Sequence, residues 1–105
     1  MGLNMFVGAA VSLTVLSVAC AQSVRIYVGT YTGPGDSSKG IYRSTLDLQT
    51  GELSDPVLVV EARNPSFIEI HPNGKSLYAV SEAGASGQVL AYAIDPGTGD
   101  LKPLN

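Results

Sequence analysis

Apolar and polar residues along this chain alternate in short runs. "RIYVGTY" (Arg25–Tyr31), "KGIYRSTLD" (Lys39–Asp47), "VLVVEA" (Val57–Ala62), "SFIEIH" (Ser66–His71), "SLYAVSE" (Ser76–Glu82) and "QVLAYAID" (Gln88–Asp95) are rich in β-branched, Tyr and Leu residues. Gly, Pro, Asn and Asp separate them, as expected of strands joined by turns. None of these segments has helical periodicity. "IYVG" (Ile26–Gly29) and "LYAV" (Leu77–Val80) are apolar at nearly every position, which predicts strands covered on both faces. Between two runs, "PNGK" (Pro72–Lys75) predicts a tight hairpin with Asn73 and Gly74 at positive φ. In "DPGTGD" (Asp95–Asp100), Asp95 is expected to bond nearby amides and Gly99 to take a left-handed conformation.

The pattern occurs twice. "LDLQTGEL" (Leu46–Leu53) superposes without a gap on "IDPGTGDL" (Ile94–Leu101) at an offset of 48, whereas Tyr27 against Tyr78 gives 51. The copies therefore differ by three residues in the loop between, where an exposed connection tolerates change. A four-stranded antiparallel unit of about 50 residues that repeats is the signature of a β-propeller blade. With strands A to D counted outward from the axis, Pro65–His71 is A, Ser76–Glu82 is B, Gln88–Asp95 is C, and D begins at Leu101. The earlier copy supplies B (Arg25–Thr30), C (Gly40–Asp47) and D (Pro56–Ala62), without an A. The fold class is therefore all-β: about two blades of a propeller at the front of a longer chain, whose far end is expected to supply the missing strand. An independent two-blade unit is the alternative. Its open sheet edges would favour aggregation or oligomerisation and leave it weakly stable.

Composition adds an export segment. Residues 1–21 carry no charge, and "FVGAAVSLTVLSVA" (Phe6–Ala19) leads to "ACA" (Ala19–Ala21), a fitting cleavage site before Gln22. No Lys or Arg precedes the apolar core. Three readings stand: a cleaved signal peptide, lipid attachment at Cys20, or a retained anchor, and all three export residues 22–105. Cleavage leaves no stable membrane insertion and removes the only Cys, so the remainder holds together without an internal disulfide. Pro65 blocks the Asn-x-Ser pattern at Asn64. The net charge of −3 has no basic patch, which makes nucleic acid and anionic membrane surfaces poor candidates for partners.

Several ordered motifs carry a resemblance: "YVGTYT" (Tyr27–Thr32), "GIY" (Gly40–Tyr42), "TGEL" (Thr50–Leu53), "NPSF" (Asn64–Phe67), "HPNGKSLYAVSE" (His71–Glu82) and "AYAIDPGTGDL" (Ala91–Leu101). Together they resemble the N-terminal part of the seven-bladed propeller lactonase family, typified by bacterial 6-phosphogluconolactonase. The resemblance implies a hydrolase that opens a sugar lactone by water attack, with no cofactor and no required metal. It also implies that most of the catalytic groups, including a His, an acidic residue and Arg residues, lie in blades beyond Asn105. These residues alone are thus expected to be inactive.

Strand order places "TYTGPGDSSK" (Thr30–Lys39), "ARNP" (Ala62–Pro65) and "EAGASG" (Glu82–Gly87) on one side of the disc. Lactone opening needs an activated water, donors for the oxyanion, and cations for any phosphate or carboxylate. Arg63, Asn64, Glu82 and Tyr31 have suitable chemistry for contacting substrate. Their structural readings are a solvated cation, a loop residue, an exposed carboxylate and a packing aromatic, respectively. His71, the only histidine, falls on the opposite side in a turn, which argues for a structural or solvated role. "GTYTGPGDSSKG" lacks the Gly-Lys-Ser/Thr ending of a phosphate loop. No Cys/His spacing supports zinc, and no nucleophile–base triad is present. Two further functions remain open: a metal-dependent gluconolactonase, and a non-catalytic exported propeller that binds a protein or glycan.

Overall fold

A computed structural model describes residues 22–105; the export readings for residues 1–21, including lipid attachment at Cys20, lie outside the described residues. Among the described residues, seven strands form two antiparallel sheets. The first contains β1 (Ser23–Val28), β2 (Gly40–Asp47) and β3 (Val57–Glu61), paired in that order. The second contains β4 (Ile68–Ile70), β5 (Ser76–Ser81), β6 (Gln88–Ile94) and β7 (Leu101–Pro103), also paired in sequence order. β2 follows the expected bounds and β7 begins at the expected Leu101, whereas β3 to β6 are trimmed and β1 is shifted, beginning at Ser23 and ending at Val28. The strand expected over Pro65–His71 begins only at Ile68, because Asn64 stands at φ +46° and Ser66 N bonds back to Asn64 O at 2.8 Å. The strand expected over Arg25–Thr30 stops at Val28. There the chain passes so near the next connection that a Cβ on Gly29 would overlap the Pro65 carbonyl oxygen. Among the described residues no helix is long and apolar enough to cross a membrane.

The hairpin at Pro72–Lys75 differs from its expected form. Gly74 takes φ +73° but Asn73 does not take positive φ. Pro72 presets the first central angle of a type I turn, closed by Gly74 N to His71 O at 2.8 Å, and Gly74 then turns the chain left-handed. Asn73 instead uses its side chain, accepting from Lys75 N at 2.8 Å.

Packing follows the period-two rule. Leu77 and Ala79 of β5 lie beside Tyr92 and Leu90 of β6, and together with Leu101 this face meets Ile41, Val59 and Val60 of the first sheet. Leu77 and Ile41 are both 0% exposed. Burial of a side chain the size of Leu77 contributes about 1.5–3 kcal/mol. The opposite face of the second sheet is uncovered: Phe67, Tyr78 and Val89 are exposed. Burial on both faces, expected for Leu77–Val80 and Ile26–Gly29, is thus met on one face only, because no neighbouring sheet covers the other among the described residues.

A polar clamp closes the joint at one edge. Tyr27 Oη donates to Gly99 O at 2.5 Å, Arg25 Nη2 to Gly97 O at 3.3 Å, and Arg43 Nη1 to Thr98 O. Arg43 also lies 3.8 Å from Asp100 Oδ1. Burial pushes the Tyr27 phenol above its ordinary pKa, opposed in part by Arg25 and Arg43.

Candidate functional site

The opposite edge of the two sheets gathers the connections 29–39, 62–67 and 82–87. Asn64 sits at their meeting point. Pro65 disfavours the right-handed helical conformation for the residue before it, and Asn is among the non-glycine residues that best tolerate positive φ. In that conformation the Asn64 side chain points both ways along the joint. Its Oδ1 accepts from Thr32 N at 2.7 Å, and its Nδ2 donates to Glu82 O at 3.1 Å. Its backbone completes the link: Asn64 N donates to Thr32 Oγ1 at 3.0 Å, and Asn64 O accepts from Glu82 N at 3.2 Å. Both amide atoms of Asn64 are therefore engaged in joining the first sheet's loop to the second sheet's loop.

Glu82 is held in the same web. Ser66 Oγ donates to its Oε2, fixing one carboxylate oxygen. Ser81 Oγ, on a buried residue, donates to Arg63 O at 2.7 Å and pins the backbone that carries the guanidinium. Arg63 itself is exposed and makes no side-chain hydrogen bond or ion pair among the described residues.

Beside this web lies a cleft of ≈ 510 Å³, within the size range of small-molecule sites. Asp36, Ser37, Ser38, Lys39, Glu61 and Arg63 line it, together with Thr32 and Ala62. Two cations, two carboxylates and three hydroxyls provide donors and acceptors for a polyhydroxylated or anionic molecule. Of the four residues singled out from sequence, Arg63 lines the cleft, while Asn64 and Glu82 belong to the web beside it. Tyr31 is 63% exposed and lines neither. Thr32, Lys39, Ser66 and Ser81 were not singled out. The Thr and Ser residues gave no signal, because only the fold brings them to Asn64, Glu82 and Arg63. Lys39 stood in the quoted loop and could have been paired with Arg63 as a second cation on the same side.

His71 stays at the far edge, exposed, where its Nδ1 accepts from Asn73 N at 3.1 Å within the turn.

A family model described as "Lactonase, 7-bladed beta-propeller" matches residues 25–105. The chain is 42% identical over 79 residues to a 6-phosphogluconolactonase of Bacillus subtilis (strain 168), covering 75% of this chain and 22% of that protein. Among solved structures, it resembles a candidate 6-phosphogluconolactonase from Bacteroides fragilis NCTC 9343, with TM-score 0.71 and 35% identity over 81% of this chain and 23% of that one. A periplasmic gluconolactonase from Pseudomonas aeruginosa superposes with TM-score 0.68 and 30% identity, covering 78% of this chain and 24% of that one. The chain thus spans about a quarter of the length of these relatives.

Proposed function

Since the chain belongs to the seven-bladed β-propeller lactonase family, we propose that the complete protein is an exported hydrolase that opens a sugar lactone. The observation that carries this reading is the ordered match through residues 25–105, combined with a cleft whose two cations, two carboxylates and three hydroxyls suit a polyhydroxylated molecule. Water adds to the lactone carbonyl carbon and gives up a proton to a base. The tetrahedral oxyanion then collapses, the ring C–O bond breaks, and the departing alkoxide takes a proton to leave a hydroxy acid. The reaction requires no metal, and most of its catalytic groups lie in blades beyond Asn105, so residues 22–105 alone are inactive. The ring closes by a strand from the far end of the chain pairing with β1.

Within the described residues, Arg63 binds the anionic or hydroxyl-rich end of the substrate, and guanidinium geometry suits a bidentate contact there. Glu82, with one oxygen held by Ser66, presents the other to a sugar hydroxyl or to water. Asn64 positions both through the backbone, and Tyr31 contacts substrate only where it reaches over the loops. The apolar, charge-free residues 1–21 support export, and the likeness to a periplasmic gluconolactonase favours an unphosphorylated sugar lactone over the phosphorylated one.

Acid release by the purified complete protein, followed in a pH-stat with δ-gluconolactone and 6-phosphogluconolactone, tests the proposal. The expected outcome is turnover that survives chelator, with the unphosphorylated lactone preferred. Absence of hydrolysis with both would refute the enzyme reading, and activity abolished by chelator would select a metal-dependent gluconolactonase.

A further inference from the structure

The turns at residues 47–52 and 95–100 are the same object built twice. Asp47 Oδ1 accepts from Gln49 N at 2.8 Å and Thr50 N at 3.1 Å; Asp95 Oδ1 accepts from Gly97 N at 2.8 Å and Thr98 N at 2.9 Å. The Asp carbonyl accepts from Gly51 N in one and Gly99 N in the other, each at 2.8 Å. The Thr hydroxyl accepts from Glu52 N at 3.2 Å or Asp100 N at 3.1 Å. Both glycines stand at φ +78°.

Their surroundings differ. The turn 95–100 is seated in a socket on β1 and β2, formed by Arg25, Tyr27 and Arg43, which hold three consecutive carbonyls and approach Asp100. Gly99 is buried there, and a Cβ on it would strike the Arg25 side chain. Leu101, which follows, is 7% exposed in the joint. At the twin, a Cβ on Gly51 would meet nothing within 4 Å, and Leu53 is 62% exposed. Four of the positions at the socket are nevertheless kept in kind, Thr50 for Thr98, Gly51 for Gly99, Glu52 for Asp100 and Leu53 for Leu101, while Gln49 stands for Gly97 and offers the same backbone carbonyl.

We propose that the turn 47–52 is itself a docking element, seated in an equivalent socket of guanidinium and phenol groups on the blade that adjoins the first sheet when the ring is closed. Seating buries Gly51 and Leu53 as Gly99 and Leu101 are buried here, and Glu52 meets an arginine. The inference rests on the ring proposed above, but not on its chemistry.

Three glycine variants of the complete protein test it by thermal melting. Asn tolerates left-handed φ best among residues with a Cβ, so Gly74→Asn, at φ +73° with nothing within 4 Å, measures the backbone penalty alone. Gly99→Asn adds the overlap with Arg25 and should melt several degrees lower. Gly51→Asn is expected to fall with Gly99→Asn. Should it melt with Gly74→Asn instead, the docking proposal is wrong. Labelling gives a second readout that does not depend on stability: the thiol of Leu53→Cys should react with a maleimide as slowly as that of Leu101→Cys, and at least tenfold more slowly than that of Asn73→Cys. A rate equal to that of Asn73→Cys also overturns the proposal. Lactone hydrolysis by the unsubstituted protein reports separately on the enzyme reading, so the two can fail independently.

Discussion

On the edge of the sheets that carries the turns 47–52 and 95–100, the two turns match bond for bond internally. On the edge that carries 29–39, 62–67 and 82–87, the two repeats differ in length, composition and contacts. The first edge contains the turn-capping aspartates, whose carboxylates are consumed within their own turns, and the arginine clamp on carbonyl oxygens, which holds sheet to sheet. The second contains a cleft with two cations, two carboxylates and an Arg63 side chain without a protein partner among the described residues. A repeated module preserves what its architecture requires, and variation is permitted where no neighbouring blade depends on it. Chemistry is therefore sought at the second edge and stability at the first, with Asn64 as the exception that serves the joint from the chemical side.

The largest effect on this division is expected at that exception. Asn64→Ala removes both amide contacts and leaves a Cβ residue at φ +46°, which should destabilise the complete protein by about 2–4 kcal/mol in denaturant unfolding. Asn64→Gly should recover the backbone part of that loss but not the bonds to Thr32 and Glu82. Arg63→Ala should leave the melting temperature within error and raise KM about tenfold or more in steady-state kinetics, since the proposed function gives this side chain a ligand contact and it has no protein partner among the described residues.

Smaller effects belong to the clamp. Tyr27→Phe loses the bond to Gly99 and should cost about 0.5–1.5 kcal/mol without changing kcat/KM. The raised phenol pKa has a sign that can be checked. The neutral form is favoured in the fold, so its contribution is full below the ordinary tyrosine range and is lost as pH rises through the elevated value. Stability measured across the alkaline range should therefore fall less steeply in Tyr27→Phe; Tyr92, raised by burial as well, accounts for part of what remains. The smallest effect is on the acid side. Amide hydrogen bonds from Thr98 and Gly97 hold the Asp95 carboxyl below its usual range, so its contribution is present at neutral pH and is lost as pH falls through the lowered value. Asp95→Asn, which keeps an acceptor, should flatten the acid limb of the stability profile slightly and leave neutral stability nearly unchanged.

Most of the fold was legible because its signals are local. Gly and Asp in the repeated turn, the Pro-Asn-Gly hairpin and the β-branched runs each act within a few residues, and the resulting strands appear near the expected positions. Strand ends at Val28 and Ile68 were not legible, because they are set by Gly29 meeting Pro65 and by the left-handed Asn64. Coverage on both faces, expected at Leu77–Val80, depends on a neighbouring sheet that local pattern cannot supply. In the candidate site, Arg63 and Glu82 could be placed on one edge by strand order alone. That Asn64 spends its amide on Thr32 and Glu82, and that Lys39 joins Arg63 around one cleft, follows from loop geometry spanning residues far apart in sequence.

The division between the two edges is tested most directly by measuring kcat/KM for lactone hydrolysis in the complete protein for Arg63→Ala and Arg43→Ala side by side. Arg63→Ala should lower it about tenfold or more, and Arg43→Ala should leave it unchanged while lowering the melting temperature. Equal losses in the two variants, or a loss confined to Arg43→Ala, would contradict the assignment of chemistry to the Arg63 edge.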